Sequence, residues 1–340
     1  MIIQLNSAIS PTQKNELIDE LYNNAYGVQE VTTKEHSYLI AQGGKQMDIR
    51  SIGNKPYVQD IHVVQAPYPL VSSSWKEQPT KIHLNDGVQI GRKELSIIAG
   101  PCTVENEKQI DEMAKFLVTK GVKLMRGGIF KPRSSPYSYQ GLGLEGLKLF
   151  HQTAHKNGLQ IVTEIMEQNQ IEEMYPYVDV FQVGARNAQN YKLLGALGKV
   201  DKPILLKRGF SQSLDELLHA AEYIFTGGNE KIILCERGIR TFEKSYRNTL
   251  DINAIPLLKQ KSHLPVIVDP SHGIGLRNHV SSVALGCIMA GADGVLVEIH
   301  KHPQMAVSDG FQSLNFSEFS QLVENLELTF QLKNKIKPFY

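Results

Sequence analysis

Four widely separated residues, Cys102, His272, Glu298 and Asp309, offer a thiol, an imidazole and two carboxylates. A mixed soft and hard donor set of this kind suits a divalent transition ion better than Mg2+ or Ca2+. Each residue alone is a weak signal, because a lone cysteine is usually a buried hydrophobe and a lone histidine usually structural. What joins them is position: each lies at or just beyond the end of a short apolar run. A second set is cationic. Arg126, Lys131, Arg133, Arg186, Lys207, Arg208 and Arg237 also follow apolar runs, and Lys131-Pro132-Arg133-Ser134-Ser135-Pro136 forms a rigid charged turn. Arginine presents a planar fork to phosphate or carboxylate, and lysine a compact point charge. For Arg208 a salt bridge to a loop carboxylate is an equally good reading. For the whole set the charge calls for anionic substrates, and Gly184-Ala185 lets backbone amides approach a phosphate. Cys235, within an apolar run, and Cys287, in the apolar helix 283–290, read as buried hydrophobes. His300 and His302 neighbour Glu298 but are not assigned as ligands.

These residues need elements that bring them together. From residue 95 the chain alternates apolar strand, turn and amphipathic helix, with strands expected at 95–100, 123–128, 160–165, 180–185, 203–209, 231–238, 265–270 and 294–300. Helices are expected between and after them, for example at 105–120, 144–157, 213–225 and 316–332. Continuous apolar strands alternating with helices imply a parallel sheet covered on its outer face, and eight such units close into a (β/α)8 barrel. All strand ends then point to one mouth, where the metal donors and cations converge. A doubly wound open sheet is the competitor, and no Gly-rich dinucleotide fingerprint follows the first strand to support it.

Upstream, strand 1–6, helix 11–26 ended by Gly27, hairpin strands 28–33 and 37–42, helix 46–52 and strand 57–65 give the order βαββαβ, a ferredoxin-like unit. Residues 66–80, with prolines, consecutive serines and the only tryptophan, read as an extended connector rather than packed structure. Residues 81–90 read as a hairpin turning at Asn85-Asp86-Gly87 and plugging the bottom of the barrel. The expected domains are therefore 1–65, a linker 66–80, and a catalytic barrel 81–340.

Composition excludes several other functions. The 340 residues carry Lys+Arg 36 against Asp+Glu 35, so no long-range field draws nucleic acid or an anionic membrane. No apolar stretch approaches the roughly 20 residues of a membrane span, and residues 1–10 lack a signal pattern. Three widely spaced cysteines argue for free thiols in a reducing compartment. A cytoplasmic protein is expected.

Together Gly100-Pro101-Cys102, Arg126-Gly127-Gly128, Lys131-Pro132-Arg133-Ser134-Ser135-Pro136, Gly184-Ala185-Arg186, Cys235-Glu236-Arg237-Gly238 and Asp269-Pro270-Ser271-His272 resemble 3-deoxy-D-arabino-heptulosonate-7-phosphate (DAHP) synthases of the smaller type I beta form. The resemblance covers residues 80–340, and the N-terminal unit resembles the regulatory domain fused to some members. It implies condensation of phosphoenolpyruvate with erythrose 4-phosphate, with release of phosphate, at the head of the shikimate pathway. It further implies that Arg186, Arg237 and the Ala185 amide hold the phosphoenolpyruvate phosphate, and that Arg126, Lys131 and Lys207 serve its carboxylate and reacting oxygens. Arg133 and Ser134 would contact erythrose 4-phosphate, with Asp269 and Glu164 in the inner polar shell. Cys102, His272, Glu298 and Asp309 would hold one divalent ion (Mn, Fe, Co or Zn) that assists at the aldehyde oxygen, and Lys131 would deliver a proton. A homo-oligomer, with a tetramer favoured, and inhibition by an aromatic amino acid that docks the N-terminal unit over the barrel mouth are also implied. Two alternatives stand beside this reading. One is 3-deoxy-manno-octulosonate-8-phosphate synthase, whose corresponding loop resembles Lys-Ala-Asn-Arg-Ser rather than Lys-Pro-Arg-Ser. The other is a barrel that binds ligands without catalysis.

Overall fold

The computed structural model describes residues 1–336 apart from 46, 92, 132–134 and 136. The N-terminal unit runs β1 (Ile2–Leu5), α1 (Pro11–Asn23), β2 (Tyr26–Thr32), β3 (Ser37–Gly43), α2 (Ile49–Gly53) and β4 (Val58–His62). Its antiparallel sheet has the order β2-β3-β1-β4, the ferredoxin-like arrangement expected from the element order. Pro11 and the Ser10–Gln13 capping box start α1 by satisfying donors its first turn leaves free. The helix stops at Asn23, short of the expected 26. The Asn24 side chain bonds back to the Glu20 carbonyl at 2.8 Å and Ala25 turns to φ +62, so the break precedes Gly27. Strand alternation divides the sheet between two cores. Ile3, Leu5, Leu39 and Ala41 pack on Leu17 and Leu21 of α1, whereas Ile2, Val31, Tyr38 and Ile40 on the opposite face join the core that runs into the barrel.

Residues 66–80 correct the expectation of an unpacked connector. Leu70 and Val71 are fully buried, and Trp75 packs edge-on against Tyr38, His62 and His263. Burying such side chains contributes about 1.5–3 kcal/mol each, ample to hold an extended segment down. The backbone is also fixed, because Glu222 accepts from Leu70 N at 2.9 Å and Val71 N at 3.0 Å.

Next comes the hairpin β5 (Ile82–His83) and β6 (Gln89–Ile90). At its turn Asp86 has φ +56 and Gly87 φ +71, conformations these residue types tolerate. Ile82 and Ile90 enter the core inside the barrel with Ile98, Leu124, Val162 and Leu205, so the hairpin closes one end as a plug.

Eight parallel strands form the closed barrel: β7 (Ser96–Gly100), β8 (Leu124–Arg126), β9 (Gln160–Ile165), β10 (Val180–Val183), β11 (Ile204–Lys207), β12 (Ile232–Glu236), β13 (Val266–Val268) and β14 (Gly294–Glu298). Each is followed by helix: α3 (Glu107–Thr119), α4 (Gly143–Lys156), α5 (Gln170–Met174), α6 (Tyr191–Leu197), α7 (Leu214–Thr226), α8 (Ala254–Lys261), α9 (Pro270–Gly273) with α10 (Arg277–Met289), and α11 (Phe316–Lys335). Several strands are shorter than expected. β10 stops at Val183, and Ala185–Asn187 form a single 3-10 turn, so the charged residue after the strand leaves the sheet to face the mouth.

In this arrangement the N-terminal unit lies away from the mouth of its own barrel. Lys34 pairs with Asp201 ahead of β11, and Tyr38 and His62 pack on Trp75 of the connector, which itself packs on His263 ahead of β13, so the unit is seated toward the N-terminal ends of the strands. Gly228, with φ +106, lets the chain after α7 pass close to the Thr32 carbonyl. Apolar residues on the outward sheet face are what draw the unit there.

Candidate active site

The carboxyl ends of the barrel strands deliver the expected residues to one cleft of about 90 Å3, lined by Lys131, Glu164, Ala185, Arg186, Lys207, Arg237, His272 and Asp309. Larger cavities exist, including one of about 940 Å3 between the N-terminal sheet and the connector, but it lacks this convergence of charge. At the active-site mouth β7 ends in Gly100 with Pro101 turning the chain, which points Cys102 inward at 3% exposure. A side chain at Gly100, where φ is +159, would strike the Arg126 carbonyl, so the close approach of β7 and β8 requires glycine. Cys102 Sγ lies 3.3 Å from Asp309 Oδ2 and 3.4 Å from Ser308 Oγ. Lys131 Nζ donates to both Cys102 O, at 3.0 Å, and Cys102 Sγ, at 3.1 Å.

Donor atoms of Cys102, Glu298 and Asp309 all lie within 4.8 Å of one another. His272 joins them through Nε2, 3.4 Å from Glu298 Oε1. Its other nitrogen, Nδ1, is 2.7 Å from Asp269 Oδ2, the orientation in which a carboxylate fixes a ligating imidazole. Asp269 also caps the start of α9 by accepting from His272 N at 2.9 Å, which locks the short helix and the ring together. Burial pushes the Cys102 thiol up to about 12, with Glu298 adding to the effect and Lys131 opposing it. A thiol this reluctant to ionise becomes a good ligand when a cation replaces its proton. Cys102, Glu298 and Asp309 therefore converge as donors, and with the His272 imidazole beside Glu298 the set fits a divalent transition ion in donor type.

Buried charge pairs set the rest of the geometry. Glu298 is fully buried. Burial alone would raise its carboxyl, but His272 and Arg126 hold it down at about 2. Arg126 donates through Nη1 to Glu298 Oε1 at 3.0 Å and to the Pro101 carbonyl at 2.6 Å, while its buried Nε makes no hydrogen bond among the described residues. Lys207 donates to Asp269 Oδ2 at 2.5 Å. Burial would likewise raise the Asp269 carboxyl, yet His272 and Lys207 keep it well below the carboxylate range. Gly184 sits where any side chain would collide with the Glu164 carboxylate, so the Gly184-Ala185 backbone remains open to the cleft.

The cations divide into two groups. Arg186 and Arg237 line the cleft, their guanidinium carbons 5.7 and 4.9 Å from the centre of the Phe210 ring. Arg208 faces away from it. Arg208 Nη1 bonds Glu236 at 2.9 Å and Asp251 at 3.0 Å, and Nε bonds the Gln212 carbonyl at 2.7 Å, which is the salt-bridge alternative and removes it from the substrate set. The calls on Arg133 and Ser134 lie outside the described residues. Cys235 and Cys287 are buried within the strand β12 and the helix α10. His300 stands 3.5 Å from Glu105.

Two cleft residues escaped the sequence reading. Phe210 carries three guanidiniums on its ring, Arg240 at 4.6 Å being the third. Arg247 reaches Asp309 at 3.7 Å and donates to Gln312 Oε1 at 2.6 Å. Phe210 stands just after Lys207-Arg208-Gly209 and could have been noticed as an aromatic beside a basic run. Arg247 sits in a polar loop with no apolar strand directly before it, so it carried no signal.

Residues 78–334 match the model of the DAHP synthetase I family. The chain is 46% identical over 299 residues to the phospho-2-dehydro-3-deoxyheptonate aldolase of Thermotoga maritima, covering 85% of this chain and 88% of the relative. A 2-dehydro-3-deoxyphosphooctonate aldolase of Syntrophobacter fumaroxidans is 30% identical over 259 residues, covering 71% of this chain and 88% of the relative. The crystal structure of the Thermotoga maritima phospho-2-dehydro-3-deoxyheptonate aldolase superposes with a TM-score of 0.78 at 41% identity, covering 98% of both chains. A truncated form of the Thermotoga maritima enzyme superposes with a TM-score of 0.73 at 46% identity, over 78% of this chain and 98% of that one. With the barrel, the donor set and the ring of cations all at one mouth, and with most of its length matched, this chain belongs to the DAHP synthetase I family.

Proposed function

We propose that this chain condenses phosphoenolpyruvate with erythrose 4-phosphate and water to give 3-deoxy-D-arabino-heptulosonate 7-phosphate and phosphate, using the residues at the barrel mouth. The observation that carries the reading is the cleft itself, in which Lys131, Arg186, Lys207 and Arg237 face the donor set of Cys102, His272, Glu298 and Asp309. Arg186, Arg237 and the Ala185 amide are assigned to the phosphate of phosphoenolpyruvate. Lys131, Lys207 and Arg126 are assigned to its carboxylate and the reacting oxygens, although Arg126 and Lys207 already hold Glu298 and Asp269. Arg133 and Ser134 are assigned to erythrose 4-phosphate from the sequence motif alone.

Joining two anions requires their repulsion to be cancelled and their carbons aligned. Fixed guanidiniums and ammoniums do both without reorganising at the moment of reaction. Cys102, His272, Glu298 and Asp309 would hold a divalent ion, which would supply Lewis-acid polarisation of the aldehyde oxygen. Lys131 Nζ, beside the thiol, stands where it can pass a proton to the oxygen that becomes a hydroxyl as C3 of phosphoenolpyruvate bonds to the aldehyde carbon. Water then adds at C2 and gives up a proton to leave a hydroxyl on a tetrahedral carbon; the C2–oxygen bond to phosphate breaks as that hydroxyl becomes the C2 ketone and its proton passes to the departing phosphate.

Identity favours erythrose 4-phosphate, since the octulosonate relative is 30% identical and the heptonate relative 46%. Assaying phosphate release from phosphoenolpyruvate with erythrose 4-phosphate against arabinose 5-phosphate tests the choice. Preference for the five-carbon sugar would move the chain to the octulosonate reaction, and turnover with neither would favour the non-catalytic alternative.

Residues 1–65 are read as a regulatory unit, 66–80 as the linker and 81–340 as the catalytic domain. The effector assigned to the first is an aromatic amino acid, and the assembly a homo-oligomer, with a tetramer favoured. Because the unit packs at the N-terminal end of its own barrel, any inhibition within one chain requires a second arrangement that the effector prefers.

A further inference from the structure

We propose that His151, His155 and Asp179 form a second site for a divalent ion of zinc type, on the N-terminal rim of the barrel and separate from the catalytic mouth. His151 and His155 lie four residues apart on α4, so both rings project from one face of the helix. This spacing lets two imidazoles reach one ion. Asp179 stands immediately before β10, and the three donor atoms lie within 4.8 Å of one another. The site therefore joins α4 to the start of a strand whose other end carries Arg186.

An ion pair accounts for only part of this cluster. His155 Nε2 lies 2.7 Å from Asp179 Oδ2, a contact that involves those two residues alone. His151 has no such explanation. Its ring centre is 3.9 Å from that of His155, and its buried Nδ1 makes no hydrogen bond of good geometry among the described residues, although the Tyr177 backbone bears on the ring. Two stacked imidazoles that were both protonated would repel. Burial, followed by the neighbouring His155, lowers the affinity of His151 for a proton, which leaves a neutral ring with a lone pair to donate. Asp179 is pre-aimed, since its Oδ2 also accepts from Ile161 N at 2.8 Å. An orienting bond of that kind is what a ligating carboxylate ordinarily receives.

The geometry needs only a small adjustment. Zinc bonds of about 2.0–2.2 Å in a tetrahedron place donors roughly 3.3 Å apart, so His155 and Asp179 must separate slightly and His151 close in. With half-exposed His155 at the rim, water completes the fourth position. Lys202 opposes the ion, because its charge reaches both His151 and Asp179, although its ammonium donates to the Val178 carbonyl and rests 4.7 Å over the Tyr175 ring. Two imidazoles and one carboxylate outweigh one lysine held by other partners.

Equilibrium dialysis of the full chain against Zn2+, after stripping with chelator, tests the site. His155→Gln should bind one equivalent fewer than its parent, both in the wild type and in a Cys102→Ser background that perturbs the catalytic site. In the otherwise wild-type chain it should also retain condensation activity and a native circular dichroism spectrum. His151→Gln should weaken the same equivalent by more than about 100-fold, beyond the effect of losing an outer partner. Equal zinc content in parent and variants would overturn the proposal. So would a dissociation constant weaker than about 0.1 mM for the equivalent that is lost.

Discussion

Cys102 is the residue on which the catalytic centre is most exposed to a single change. Its thiol is buried beside Asp309 and receives Lys131, so replacing sulfur with a hydroxyl removes the one soft donor while leaving packing nearly intact. Cys102→Ser should lose most metal at the catalytic site and most activity, with little change in melting temperature; inductively coupled plasma analysis beside the phosphate-release assay checks both. Wild type stripped of metal should be inactive and recover with a divalent ion, and full activity in verified metal-free protein would contradict the assignment. The cations separate by substrate. Arg186→Ala should raise KM for phosphoenolpyruvate at least tenfold more than KM for erythrose 4-phosphate, and Arg133→Ala should do the reverse. Equal effects on both substrates from both variants would show that the subsites are misassigned.

At the scale of elements, the contact between the connector and α7 contains a titratable latch. Glu222 receives two backbone N–H groups, which favour its charge, but burial outweighs them and pushes its carboxyl up to about 7. An acid whose folded value lies above its unfolded value of 4.5 binds its proton more tightly in the native state. That stabilisation is complete below about pH 4.5 and is lost as pH rises through 7. Wild type should therefore lose on the order of 2 kcal/mol from this group across that window, and Glu222→Gln should flatten that part of the stability curve. Chemical denaturation at pH 5 and pH 7.5 measures the difference, and an unchanged slope in the variant would remove Glu222 from the latch. The same connector carries Leu70, Val71 and Trp75, so its hold on the barrel is chiefly apolar and persists at either pH.

For the whole molecule, the N-terminal unit contributes no side chain to the catalytic cleft among the described residues but shares a core with the barrel through Ile2, Val31, Tyr38 and Ile40. Removing residues 1–65 while keeping the packed connector should leave metal-dependent activity and lower the melting temperature, because the barrel face that met those side chains becomes exposed. The shortened protein should no longer respond to tyrosine or phenylalanine. Steady-state rates of both proteins with each amino acid test this. A full-length enzyme indifferent to every aromatic amino acid would remove the regulatory role and leave the catalytic one standing.

The alternation of apolar strands with helices made the barrel legible, because buried parallel strands must be apolar on both faces and their period is local. Residues at strand ends were legible for the same reason: once strands are placed, chain direction alone sends Cys102, Arg186, Lys207, Arg237 and His272 to one mouth. Sequence could not assign the partners of each charge. Arg208 and Lys207 are neighbours in the chain, yet one bonds Glu236 and Asp251 behind the wall while the other bonds Asp269 in the cleft. Successive residues at a strand end face opposite ways, and which way is inward depends on register with strands far away in sequence. Arg247 and Phe210 were set by loop conformation, which has no period to read. The packed connector and the seat of the N-terminal unit were likewise tertiary decisions, since apolar residues in an irregular segment show that something will be covered but not by which surface. Residue types and local periodicity thus determined the fold and the chemistry at its mouth, and only long-range packing decided which charges remain free for substrate.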